Sequence, residues 1–481
     1  MDFEHEQELL RQITRRTLLK EVGYGVGRVA LSSMLSQSMA LGAELPQGAI
    51  ALHHKPRAKN VIYLFMVGAP SQVDLLDHKP YLNKHHGELC PPEMLKNQNF
   101  AFIPQKPKLF GTPHKFEQVG KSGHWVSELL PHFKEIADDV AVVKSMNTHH
   151  FNHAPAQLFM NTGSQMSGRP SFGSWATYGL GSENQDLPGF VVLLSGEGSA
   201  DSGKASWGCG FLPSEYQGVE LRTKGEPVLF VRNPDGVTKE IRRDTLDALR
   251  ALNELQHQQT MDPEVLARIS QYELAYRMQT SVPELMDISK EPKEVHEMYG
   301  TEIGKKSFAN NCLLARRLVE KGVRFVQLYH TGWDSHGGAS VASIKDGLSA
   351  QCKETDRAAA ALIKDLKQRG LLDETIVIWG GEFGRTPMSQ TPMESPFPGR
   401  DHHPSAYTMW MAGGGIKAGA QIGETDELGY RVAKDPVSVH DLHATVLHLL
   451  GVDHTRLTYR YQGRDFRLTD VFGEVVKPLI T

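Results

Sequence analysis

Four short stretches of this chain set acids and imidazoles beside glycines. "GWDSHGG" (332–338) offers Asp334 and His336, and "GGEFGRTP" (380–387) offers Glu382 and Arg385. "GRDHHP" (399–404) adds Asp401, His402 and His403, and "NTHHFNHAP" (147–155) adds His149, His150 and His153. Carboxylates and imidazoles are the ligands of divalent cations, and an oxygen and nitrogen set of this kind suits Zn, Mn, Mg or Ca. The four cysteines, Cys90, Cys209, Cys312 and Cys352, are far apart and form no CxxC pair, so a thiolate zinc site and a redox dithiol are not indicated. One or two disulfides are compatible with this spacing in an exported chain. The planar fork of Arg385 fits a tetrahedral oxyanion. The histidines at 149–153 open a predicted helix, where free N–H groups favour an anion.

Each stretch alone also has a structural reading. Glu382 and Arg385 could form a salt-bridged turn, Asp334 and His336 a capped turn, and His402 and His403 a satisfied pair, while the 149–153 histidines could pack in the core. Their common placement raises the functional reading. "NVIYLFMVG" (60–68), "VAVVKSMN" (140–147), "GFVVLLS" (189–195), "VRFVQLYHTG" (323–332) and "TIVIWGG" (375–381) are apolar runs that stop at glycine or polar residues. Runs without alternation suit strands covered on both faces, as in a mainly parallel sheet. The segments 306–322 and 353–370 carry apolar residues at helical spacing and end on glycine before the next strand, which is βαβ order. The fold class is therefore α/β, a doubly wound, mainly parallel sheet flanked by helices. In such sheets ligands bind beyond the carboxyl ends of the strands. The acid and imidazole stretches follow or adjoin those ends. Residues from about 240 to 300 differ, being charged, rich in Gln and Met and punctuated by Pro263, Pro283 and Pro292; they read as a helical insertion.

Lys and Arg number 52 against 56 Asp and Glu, a formal charge of −4, which gives no polyanion-binding surface and makes nucleic acid an unexpected partner. Residues 1–45 contain Arg15-Arg16 followed by a mildly apolar, small-residue run interrupted by Arg28, the pattern of a twin-arginine export signal and a poor permanent membrane span. The expectation is an exported, periplasmic or envelope protein with its α/β domain over 46–481.

"NVIYLFMVGAPSQVDLLDHKP", "GWDSHGG", "GGEFGRTP", "GRDHHPSAYTMWMAGGGIKAG" and the closing "VHDLHATVLHLLGVDHTRLTYRYQGRDFRLTDV" together resemble an exported domain-of-unknown-function family grouped with the sulfatases and alkaline phosphatases. The resemblance implies an alkaline-phosphatase-like fold with one or two divalent metals that polarise an ester. It implies Asp334, His336, Glu382, His402 or His403 as ligands, with Asp74, beside Ser71, in place of the paired aspartates that end the first strand in sulfatases. Phe383 stands where a second ligand would follow Glu382. His153 occupies the position of the sulfatase Cys or Ser, as nucleophile or general acid/base, and Arg385 steadies the anion. His440 and His443 are implied as supporting residues. The implied function is a metal-dependent hydrolase of sulfate or phosphate esters on a small molecule or polysaccharide. The alternative is a non-catalytic relative that binds a polysaccharide or an envelope partner.

Overall fold

The apolar runs become strands of one mixed sheet. In the computed structural model, residues 51–481 are described apart from 97–102, 104–105, 224 and 229–231, and the predicted export signal lies outside the described residues. The strands are β1 (Asn60–Val67), β2 (Val140–Asn147), β3 (Phe190–Ser195), β4 (Val219–Glu220), β5 (Phe325–Thr331), β6 (Thr375–Gly380), β7 (Tyr407–Ala412), β8 (Gln421–Ile422) and β9 (Val437–Ser438). Their order is β8-β2-β7-β6-β1-β5-β3-β4, with β9 also on β2. Every residue of β1, β5, β6 and β7 is buried, as two covered faces require.

Strands β6, β1, β5, β3 and β4 run parallel. The exception is β7, antiparallel to both β6 and β2. Its direction follows from the connection. No crossover helix separates β6 from β7; the chain instead forms a short ribbon at the sheet edge, pairing Gly384–Arg385 with His402–His403. The next strand must then start at the edge where β6 ended. The carboxyl ends of β1, β2, β5 and β6 and the amino end of β7 consequently share one rim.

Helices α1 (His153–Thr162), α2 (Phe172–Leu180), α3 (Lys239–Thr260), α4 (Pro263–Met286), α5 (Phe308–Glu320), α6 (Gly347–Gln368) and α7 (Val439–Leu449) surround the sheet. Five have clear sequence starts, at Ser171, Thr238, Asp262, Ser307 and Ser438. Ser307 caps α5 by accepting from Asn310 N, and Ser438 with Asp441 forms a capping box on α7. The region expected as an insertion holds α3 and α4; α4 gives Met278, Val282 and Leu285 to the core cluster that includes Leu313 and Leu314 of α5. No described helix is long and apolar enough to cross a membrane. All four cysteines are free.

Candidate metal centre

Five segments meet at the common rim. The ligand atoms of His153, Asp334, His336 and His402 all lie within 4.8 Å of one another. Asp334 Oδ1 is the hub: it stands 3.0 Å from His336 Nε2, 3.2 Å from His153 Nε2 and 3.4 Å from His402 Nε2. Arg385 Nη2 donates to the same oxygen at 2.5 Å.

The other nitrogen of each imidazole is tied back. His153 Nδ1 bonds Glu382 Oε1 at 2.6 Å, His402 Nδ1 donates to the Phe151 carbonyl at 2.6 Å, and His336 Nδ1 bonds Gln390 Oε1 at 2.6 Å. Donation from Nδ1 to an oxygen fixes the ring and turns Nε2 toward the centre, the arrangement that holds a metal-ligating histidine. Nε2 of His153 and of His402 are buried with no hydrogen-bond partner of good geometry. The donor set, three imidazole nitrogens and one carboxylate, fits a divalent transition ion better than Ca or Mg, which take oxygen ligands.

The sequence builds this geometry locally. Gly68 at the end of β1 has a φ of 110°, and a Cβ there would stand 2.5 Å from Asp334 N, so only glycine lets the β1 end approach the β5 loop so closely. Ala69 follows in the left-handed region, with a φ of 65°, a backbone strain of roughly 1 kcal/mol for a non-glycine. The Ala69 and Gly68 carbonyls both accept from Arg385. The Phe383 ring lies 5.0 Å from the His153 ring and 4.7 Å from that of His402, an apolar wall where the resemblance implied a second ligand.

Charge at the centre is strongly coupled. Burial opposes a charge on His153, but the Asp334 and Glu382 carboxylates beside it outweigh that and raise its pKa to about 9. Burial alone would raise the Asp334 carboxyl; the nearby imidazoles of His153, His336 and His402 and the Arg385 charge hold it well below the usual range. Burial pushes His402 down to about 4, with Asp334 pulling the other way. A cation at the centre would replace the His153 Nε2 proton.

Several residues singled out from sequence lie elsewhere. Glu382 is fully buried and outside the group, accepting through Oε1 from Gly68 N, Gln157 Nε2 and His153 Nδ1; the turn that carries it aims it behind the ring. Asp74 is taken up by Arg400, with Nε and Nη2 at 2.6 and 3.0 Å and Ser71 Oγ donating at 2.5 Å. His403 alternates to the opposite side of its ribbon from His402, where Nε2 bonds the Tyr430 carbonyl and the ring stacks on Tyr430. Arg385 spends its donors on Asp334 and the carbonyls of Gly68, Ala69 and Arg400. His149 is exposed and His150 packs edge-on against Phe159. His440 and His443 bond the carbonyls of Gly163 and Met160 at the far end of α1, and Asp401 Oδ1 accepts from His402 N.

Two contributors escaped the sequence reading. Gln157 is one turn past His153 and fully buried; it bonds Glu382 at 3.1 Å and Asp201 at 2.9 Å. A polar residue at i+4 from a histidine, on a helix face otherwise apolar, was its only signal. Gln390 had none.

An α/β sheet with a histidine and aspartate cluster on its rim defines the class of protein. Residues 58–480 match the model described as "Protein of unknown function (DUF1501)", and the chain belongs to that family. No curated protein matches the chain. Solved structures similar to it include a protein in the alkaline phosphatase superfamily from Vibrio parahaemolyticus, at 13% identity over 84% of this chain and 68% of that one, with a TM-score of 0.35. A sulfatase from Pseudoalteromonas sp. has 13% identity over 82% and 68%, with a TM-score of 0.36. A lipoteichoic acid synthase from Listeria monocytogenes has 9% identity over 89% and 78%, with a TM-score of 0.37.

Proposed function

We propose that this protein is a metal-dependent hydrolase of sulfate or phosphate esters, exported to the periplasm or envelope, with His153, Asp334, His336 and His402 as ligands of one divalent ion. The observation that supports it is the convergence of three Nε2 atoms on the Asp334 carboxylate while each Nδ1 is held by an oxygen. Three imidazoles favour Zn over Mg or Ca. When bound, such an ion polarises an ester oxygen and lowers the pKa of water.

The chain's own residues act around that ion. Glu382 orients His153 through Nδ1 and raises its basicity. Arg385, fully buried, fixes Asp334 and draws the β1 and β5 ends together. Because Arg385 spends its bonds inside the protein, it steadies the ligand set and not the substrate. The partly exposed Asp334 and His336 side chains mark the open side from which an ester would enter. The four grouped side chains include no hydroxyl or thiol, which supports direct attack by water over a covalent intermediate.

A second reading keeps the fold and the ion but not turnover, leaving a binding protein for a polysaccharide or an envelope partner; the inward-turned donors of Arg385 favour it. Elemental analysis of the purified protein, followed by assay of p-nitrophenyl sulfate and phosphate with added Zn or Mn, separates the two. About one ion per chain with turnover supports the hydrolase, an ion without turnover supports the binding protein, and no ion sinks both.

A further inference from the structure

The far end of α1 carries a second concentration of charge that the rim does not use. Helix α1 closes on Gly163, whose φ of 68° is the left-handed cap of a helix end. A cavity of about 40 Å³ opens beside it, lined by Thr162, Ser164, Arg169, Trp175, Arg467 and Asp470 among others. That volume holds roughly three water molecules, and so one tetrahedral oxyanion.

The charges around the cavity do not balance. Arg464 pairs with the Asp470 carboxylate, and Arg467 Nε donates to the Asp470 carbonyl. Half-buried Arg169 makes no side-chain hydrogen bond or ion pair among the described residues. Its guanidinium lies over the Phe466 ring, 4.3 Å from the centroid, and Arg464 lies over the same ring at 4.8 Å. Three guanidinium groups thus face one carboxylate. Burial lowers the Arg169 pKa, with Asp470 pulling it up and Arg464 pulling it down by less. Ser164 Oγ accepts from Met166 N at 3.3 Å and gives its own proton to no described acceptor. Beside the cavity, Phe211 stacks on Tyr461 at 5.0 Å and packs on Phe466 at 4.9 Å, a flat apolar wall for the body of a bound ester.

We propose that this cavity binds a sulfate or phosphate group, with Arg169 as its principal donor, and that the group is a second one on the same polyanionic ester. The second clause rests on the hydrolase reading above. Helix α1 is 10 residues long, so about 14 Å separates its two ends, a span that two or three sugar units or a comparable backbone would cover. A guanidinium fork with free N–H groups matches a tetrahedral oxyanion in geometry as well as charge.

Calorimetric titration of the full chain at constant ionic strength, with inorganic sulfate and with short dextran sulfate oligomers, tests both clauses. Saturable sulfate binding is expected, weakened at least tenfold in Arg169→Met, partly restored in Arg169→Lys and unchanged in His336→Ala. Uncharged dextran should not bind, and the sulfated oligomer should bind at least tenfold more tightly than the free ion. Wild-type affinity for sulfate in Arg169→Met, or its loss in His336→Ala alone, overturns the cavity assignment. Equal affinity for ion and oligomer overturns the second clause. Metal content, measured on the same Arg169→Met preparation, should equal that of the wild type; a metal-free wild type that still binds sulfate through Arg169 would overturn the hydrolase reading while leaving this site standing.

Discussion

Two aspartate–arginine pairs lie near the same rim and do different work. Asp74 and Arg400 are both fully buried, and Arg400 completes its bonds on the carbonyls of Phe110 and Thr386. Asp334 and Arg385 differ in one respect: the arginine is buried, but the aspartate side chain is 44% exposed and faces three imidazoles. The first pair has no unused capacity. The second leaves a carboxylate with room for a cation, so the surroundings, not the residue types, separate a structural pair from a chemical one.

The largest effect should come from breaking the closed pair. Arg400→Met leaves the Asp74 charge buried and unpaired, at a cost of about 3–5 kcal/mol; denaturant unfolding should register it, and the fraction that folds should keep its metal. Asp334→Asn removes the hub of the open pair and should weaken metal binding at least about 100-fold, more than loss of a supporting partner does, with ester hydrolysis falling alongside while circular dichroism stays unchanged. If both variants lose stability and metal alike, the contrast between the pairs fails.

Glu382→Gln sharpens the comparison. The amide can still accept from Gly68 N but loses the charge that fixes His153, so metal affinity should drop by about 10–100-fold with the fold intact. An unchanged affinity would remove Glu382 from the centre altogether.

The last effect is on pH dependence, away from both pairs. Burial, and next to it His440, push His443 down to about 3, against the bond to the Met160 carbonyl. Burial pushes His330 down to about 4, with Gln351 pulling upward. Unfolded histidine titrates near 6.5, so below that the unfolded chain binds protons that these two refuse. Their stabilising contribution is complete above about 6.5 and is lost as pH falls toward 4. Each can add a slope of about 1.4 kcal/mol per pH unit in that window. His443→Gln should flatten the fall in stability between pH 6.5 and 4, as followed by denaturant midpoints; parallel curves would contradict it.

Much of the scaffold was legible because a strand covered on both faces has to be a continuous apolar run. The runs at 60–67, 325–331 and 375–380 are such strands, side by side in the sheet. The reversed direction of β7 was not legible, since it depends on a ribbon of two residues on each side and leaves no trace in the periodicity of Tyr407–Ala412. At the rim, Asp334, His336, His402 and His153 could be marked as chemically able. The separation of adjacent residues could not: His402 turns inward and His403 does not because a ribbon alternates its sides.

Residue type and order alone determined that acids and imidazoles would stand at strand ends, because strand burial and glycine stops are local properties of the chain. Partnership was decided by the tertiary structure. Which carboxylate meets an arginine in the dark interior, which meets three imidazoles at the open rim, and which stands behind a histidine depends on contacts between residues up to 326 positions apart. Hydrogen-bond and ionic energies fall within a few ångströms, so only the folded chain can assign them.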